Sequence, residues 1–142
     1  MSGVNESSFV LDTNAVIFLA TKGNTISTEL QDELNGADLF ISAITEIELF
    51  AKTELPSDEE ENLRIFISER IPVIGLTSAV KKETIALRRT SRLKLPDCIV
   101  AATAIALNAV LLTADRKLLR LEWPGYSVKD IENEISGSTG AL

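Results

Sequence analysis

The chain of 142 residues has no histidine and a single cysteine, Cys98. The first absence excludes general-base catalysis by histidine and leaves Cys98 without the partner that a thiol nucleophile needs. Cys98 therefore reads as core packing. One cysteine also excludes an intramolecular disulfide and fits a reducing, cytoplasmic setting. Aromatic residues make up only 5% of the chain, so the core must be built from Leu, Ile, Val and Ala. No glycine-rich phosphate loop of either common type is present, which argues against an NTPase or a dinucleotide enzyme. The segment Met1–Ser8 is polar and carries no basic side chain, unlike a secretory leader. The longest apolar stretch, Cys98 to Ala114, is interrupted by Asn108 and is short for a bilayer, so no membrane association is expected. A net charge of −7 argues against nonspecific coating of nucleic acid, though not against nucleic acid as a substrate.

What is present reads as one α/β domain. Hydrophobic residues make up 45% of the chain, enough for a real core at this length. Strands are expected at Phe9–Leu11, Leu39–Ser42, Pro72–Leu76 and Val110–Thr113, with a further edge strand at Tyr126–Val128. Helices are expected over Ala15–Ala20, Ser27–Asn35 and Thr45–Thr53, then from Ser57 to Arg70 behind a Ser57/Glu60 capping box. Thr77 opens a basic helix to about Arg92, and Pro96 sits in the first turn of a helix ending near Asn108. Alternating strands and helices give a three-layer α/β/α sandwich around a parallel sheet. The domain is expected over residues 9–135, with flexible ends at 1–8 and 136–142.

The chemistry rests on four acids. The runs Phe9-Val10-Leu11-Asp12 and Val110-Leu111-Leu112-Thr113-Ala114-Asp115 each end in one. If both are parallel strands, Asp12 and Asp115 lie at the C-terminal sheet edge, where open α/β sheets hold ligands. Glu48 and Asp97 fall in early helical turns that can reach the same edge. Each has an ordinary explanation as well. Asp12 and Asp115 make good N-caps, Thr45-x-x-Glu48 is a capping box, and Asp97 suits a helix dipole. Glu46 competes with Glu48, because the two point about 200° apart on a helix and cannot both face the edge. Four caps need not converge, however, and four carboxylates in one crevice repel unless a cation or protons offset them. That points to a divalent metal, and hard oxygen donors favour Mg²⁺ or Mn²⁺.

In order along the chain, Val10-Leu11-Asp12-Thr13-Asn14, Ile41-Ser42-x-x-Thr45-x-x-Glu48-Leu49, Leu95-Pro96-Asp97 with Ala101-Ala102-Thr103-Ala104, and Leu111-Leu112-Thr113-x-Asp115 resemble PIN-domain ribonucleases. Among those the pattern is most similar to VapC-type toxins of toxin–antitoxin pairs. The resemblance selects Glu48 over Glu46. It implies Asp12, Glu48, Asp97 and Asp115 as catalytic acids, with Asp12, Asp97 and Asp115 as metal ligands. Thr13, Asn14 and Thr113 would support them. It further implies cleavage of single-stranded RNA, a cognate antitoxin and a homodimer. Two departures stand out. Lys117 occupies a position where many relatives carry a further acid, with Leu118 in place of an aromatic, and Phe50-Ala51-Lys52 lacks a helix-closing glycine. One tightly bound metal is therefore the expectation.

Basic residues are unevenly placed. Lys81, Lys82, Arg88, Arg89, Arg92 and Lys94 precede Asp97, and Arg116, Lys117 and Arg120 follow Asp115. They are either solvated helix faces or a phosphate-binding rim. On the second reading Arg88, Arg89, Arg92, Lys94, Arg116 and Lys117 would touch single-stranded or structured RNA. A receiver domain would need paired acids after the first strand, and a dehalogenase-type phosphohydrolase an Asp where Asn14 stands. The alternative that survives is a PIN fold that binds RNA or a partner without cutting. Ile17, Phe18 and Leu30 could serve a dimer contact or simply the core.

Overall fold

The computed structural model describes residues 5–51 and 55–134. Its sheet has five strands, all parallel: β1 (Asn5–Leu11), β2 (Asp38–Ser42), β3 (Val73–Ile74), β4 (Ala109–Thr113) and β5 (Ser127–Asp130). Their order is β3-β2-β1-β4-β5. Around them lie α1 (Thr13–Lys22), α2 (Thr28–Asn35), α3 (Ala43–Ala51), α4 (Ser57–Arg70), α5 (Ser78–Thr90), α6 (Leu95–Leu107) and α7 (Arg116–Arg120). This is the expected α/β/α sandwich.

Side-chain alternation along the central strands builds both layers. Phe9 and Leu11 of β1, with Val110 and Leu112 of β4, pack against Val16 of α1, Leu30 of α2, Leu49 of α3 and Ile67 of α4. Val10 of β1, with Ala109 and Leu111 of β4, faces Leu87 of α5, Leu118 of α7 and the small-residue run Ala101-Ala102 of α6. All of β4 is buried, as a central parallel strand covered on both faces should be. Leu30 is wholly enclosed, so it belongs to the core and offers nothing to a dimer contact; Ile17 and Phe18 are half-buried against the same core.

Several boundaries differ from the expectation, each for a local reason. β1 runs back to Asn5, pairing with Ala109, so residues 5–8 belong to the strand rather than to a leading arm. Backbone pairing does not require apolar side chains, and the polar Asn5–Ser8 run carries no strand signature. The Ser57/Glu60 capping box does not form. The cap is Pro56, without a side-chain bond, and Ser57 is already helical; Glu60 pairs with Arg64 at 3.5 Å instead. The Pro72–Leu76 strand contracts to two residues. The expected tail at 136–142 and Lys52-Thr53 lie outside the described residues.

The Thr45/Glu48 box also fails, because α3 begins at Ala43 and Thr45 lies inside it. Ser42 accepts the Ile44 N–H at 3.2 Å in its place. Thr45 is left fully buried, its Oγ1 without a hydrogen-bond partner among the described residues. Thr45→Val keeps the shape and removes that unsatisfied hydroxyl, so it should stabilise the fold by about 1 kcal/mol in urea unfolding. A loss of similar size would show that the hydroxyl is bonded.

Candidate functional site

The strand order reverses between β1 and β4: the chain builds outward from β1 through β2 to β3, then returns to β1's other side as β4. A crevice opens outside the carboxyl ends of strands at such a switch point. Asp12 directly follows β1 there, and Asp115 stands two residues beyond β4.

The two acids are joined by a continuous set of hydrogen bonds. Asp12 is 7% exposed, and its backbone N–H donates to Leu112 O at 3.0 Å. Its Oδ1 accepts the Thr13 N–H at 2.8 Å, capping α1. Its Oδ2 accepts the Thr113 hydroxyl at 2.7 Å. Thr113 Oγ1 in turn accepts the Asp115 N–H at 3.0 Å, and Asp115 Oδ1 accepts the Lys117 N–H at 2.8 Å, capping α7. Asn14 closes the loop, accepting the Ala114 N–H at 2.9 Å and directing its amide toward Asp12 Oδ2 at 3.5 Å. The ordinary role of Asp12 and Asp115 as caps and their position at one edge are therefore both real.

Glu48 enters through α3, its Oε1 accepting the Thr13 hydroxyl at 3.0 Å. Glu46 lines a surface groove with Arg64, Ile65 and Val73 instead. Asp97 sits in the first turn of α6, which Pro96 opens. Thr13 thus bonds Asp12 and Glu48, Thr113 bonds Asp12 and Asp115, and Asn14 reaches Asp12.

Electrostatics tie Asp97 to the others. Burial raises its proton affinity above the ordinary carboxylate value, and the charges of Asp115, Asp12 and Glu48 add to this while Lys117 opposes it. Asp12 is raised for the same first reason; the Thr113 hydroxyl and Thr13 N–H counter it, and Asp115 and Glu48 raise it further. Among the described residues, however, no three acids are drawn together into a ready-made metal cage. Capping already engages one oxygen of Asp12 and one of Asp115.

Tyr126 belongs to this neighbourhood and carries no sequence signal beyond its rarity. It leaves the turn Trp123-Pro124-Gly125-Tyr126, closed by a 3.0 Å bond from Tyr126 N–H to Trp123 O. Gly125 takes φ +77°, the conformation that such a turn demands of its third residue. The phenol donates to Leu118 O at 2.7 Å. Burial and then the charges of Asp12, Asp115 and Asp97 hold its proton on well beyond the usual range.

The basic residues divide. Arg88 and Arg89 end α5, and Arg92 and Lys94 lie between α5 and α6; all four are exposed. Arg116 is tied to Asp130 of β5 at 2.8 Å. Lys117 is exposed beside the acids. Cys98 is buried, with its thiol toward Leu93 O at 3.5 Å and its proton affinity raised by burial, as a packing cysteine requires.

The PIN domain profile covers residues 9–124, and the chain belongs to the PIN-domain family. No curated protein sequence matches it significantly. Among solved structures it is similar to VapBC2 from Rickettsia felis bound to a DNA fragment from its promoter. There the TM-score is 0.70 at 23% identity, over 87% of this chain and 98% of that one. DNA-bound VapBC from Salmonella typhimurium gives 0.64 at 25% identity, over 87% and 97%. A toxin–antitoxin complex from Klebsiella pneumoniae gives 0.63 at 28% identity, over 82% and 93%.

Thr113→Val tests the link at the centre of the network. It removes the donor to Asp12 and the acceptor for the Asp115 N–H, and should cost roughly 1–3 kcal/mol in urea unfolding. An unchanged midpoint would mean that these bonds contribute nothing net.

Proposed function

We propose that this chain is a divalent-metal-dependent endoribonuclease that hydrolyses single-stranded RNA, and that it is the toxin of a toxin–antitoxin pair. The observation that carries the reading is the position of Asp12, Glu48, Asp97 and Asp115 toward one sheet edge, where burial first and the neighbouring acids second make Asp12 and Asp97 harder to ionise. The donor set consists of carboxylates and hydroxyls, with no imidazole in the chain and its only thiol buried in the core. Such oxygens fit Mg²⁺ or Mn²⁺, which bind through one or two carboxylates and keep several waters. That fits an edge where the acids are near one another without forming a cage. When bound, the ion would lower the pKa of a water and offset charge on the phosphate.

The residues themselves do the positioning. Asp97 and Asp115 are the most accessible direct ligands. Asp12, held by Thr113 and Thr13, fixes the inner wall, and Glu48, oriented by the Thr13 hydroxyl, is placed to accept a proton or orient a water. Arg88, Arg89, Arg92, Lys94 and Lys117 offer positive charge to the strand; Arg116 contributes less, since Asp130 already engages it. The similarity to toxin–antitoxin complexes supports a cognate antitoxin, which could block an acidic crevice with Arg or Lys side chains. We place the protein in the cytoplasm as a homodimer. No helix among the described residues is long and apolar enough to cross a membrane.

The test is cleavage of a mixed single-stranded RNA pool with Mn²⁺ or Mg²⁺ and with chelator. Cleavage that needs the metal supports the reading. Metal uptake without cleavage would favour a PIN fold that binds RNA or a partner without cutting.

A pH effect follows from the raised proton affinities. Metal uptake requires Asp12 and Asp97 ionised, and each holds its proton to a higher pH than an ordinary carboxylate. Mn²⁺ affinity measured by calorimetry should therefore begin to fall, as pH is lowered, above the usual carboxylate range. A decline confined to that range would contradict the assignment.

A further inference from the structure

Asp115 caps a helix too short to hold itself. α7 has five residues, and a helix of that length is unstable alone in water. Leu118 is wholly buried, but apolar packing is non-directional and fixes the depth of the helix better than its rotation. Direction comes from two hydrogen-bonded contacts outside the helix. The Tyr126 phenol donates to Leu118 O at 2.7 Å, where the bond from the nearby Leu121 N–H is stretched to 3.4 Å. Arg116 donates to Asp130 Oδ2 at 2.8 Å, and Asp130 is itself held, its Oδ1 accepting the Glu132 N–H at 2.9 Å. Both anchors come from the chain beyond residue 124, where the family profile ends. Asp130 lies opposite Thr113 in the β4–β5 register, so it stands at the same sheet edge as the residue that bonds Asp12 and the Asp115 N–H.

We propose that Tyr126 and Asp130 are positioning residues of the acid crevice: as a two-point clamp on α7, they set the place of the Asp115 carboxylate. The inference rests on reading the four acids as a metal-dependent nuclease site. The path is continuous. The turn at Gly125, closed by the bond from Tyr126 N–H to Trp123 O, fixes where the phenol stands. The phenol grips α7 at Leu118, and Asp130 grips it at its first residue, Arg116. Between them lies the Lys117 N–H, which Asp115 Oδ1 accepts at 2.8 Å. Asp115 is thus held through its backbone by Thr113 and through one carboxylate oxygen by α7. If the helix turns or slides, that carboxylate moves with it.

Tyr126→Phe keeps the ring and removes one hydroxyl. Asp130→Asn keeps an acceptor for the Glu132 N–H and removes the charge that Arg116 meets. In chelator, amide hydrogen exchange at Lys117 and Leu119 should quicken in each variant by about ten-fold, while the Thr13 amide, bonded to Asp12, keeps its rate. A general loosening of the fold would quicken all three. Mn²⁺ affinity measured by calorimetry should weaken by about ten-fold in each, the scale for losing a residue that orients a metal ligand. In saturating Mn²⁺, Tyr126→Phe should lower kcat for RNA cleavage and leave KM for the strand unchanged, because the phenol faces α7 and not the strand. If Tyr126→Phe leaves Lys117 exchange or Mn²⁺ affinity unchanged, or quickens Thr13 equally, the inference is wrong while the nuclease reading stands. If the unaltered protein takes up no Mn²⁺ at all, the nuclease reading falls first and this inference with it.

Discussion

Asp97→Asn should lower RNA cleavage by at least about a hundred-fold while raising the thermal midpoint of the metal-free protein. The two effects share one cause. Asp97 is partly buried among Asp115, Asp12 and Glu48, and its proton affinity in the folded protein lies above that of an ordinary aspartate. A carboxyl raised in this way binds its proton more tightly folded than unfolded. Folding is therefore favoured as pH falls toward the raised value and disfavoured as pH rises through it. At neutral pH the ionised group costs stability, and asparagine removes the charge while keeping the size. We expect a rise of roughly 1–4 °C in chelator, limited because solvent screens a half-exposed group. With saturating Mn²⁺ the order should reverse, since only the unaltered protein gains the full stabilisation of bound metal. A variant that loses cleavage and is also less stable in chelator would show that Asp97 holds the fold rather than the ion.

Asp12→Ala should abolish cleavage to the same degree with the opposite effect on stability. Asp12 is also raised by burial, but its two oxygens are committed to the Thr13 N–H and the Thr113 hydroxyl. Alanine loses the cap of α1 and leaves Thr113, which is fully buried, with a donor that has no acceptor. The loss of cap and partner outweighs the relief of burying a charge, and urea unfolding should show a cost of about 1–3 kcal/mol. Asp12→Asn, which keeps an acceptor for Thr113, should lie between. An Asp12→Ala protein as stable as the parent would mean that the network is incidental to the fold.

The contrast between these acids explains what the sequence could and could not reveal. Asp12 and Asp115 were legible because each follows a buried apolar run, and strand direction alone puts them at one edge. Glu48 and Glu46 could not be separated by periodicity. Resemblance to the family selected Glu48, and the structure gives the contact: Glu48 meets the Thr13 hydroxyl, while Glu46 faces the groove beside α4. Capping motifs misled where they were taken as local rules. Ser57 and Thr45 both have the right spacing to an acid, but α4 begins at Ser57 itself behind Pro56, and α3 begins two residues before Thr45. The pairing of Arg116 with Asp130 joins residues of different elements, and no local pattern encodes it. Tyr126 is folded back onto α7 by the turn at Gly125, where its phenol meets Leu118 O, a contact no local pattern encodes. The three-layer α/β sandwich was written in the alternation of strands and helices, since Val, Leu and Ile runs bounded by caps are a strong signal even with few aromatics, whereas the PIN family came from the resemblance of its motifs.

The central claim is that the four acids at the switch point hold a divalent ion. The most direct measurement is anomalous diffraction from crystals soaked in Mn²⁺, for the parent protein and for Asp97→Asn. We expect a Mn²⁺ peak in the crevice bounded by Asp12, Glu48, Asp97 and Asp115, absent or much reduced in the variant. A peak elsewhere on the molecule, or one in the crevice that Asp97→Asn leaves undiminished, would contradict the account.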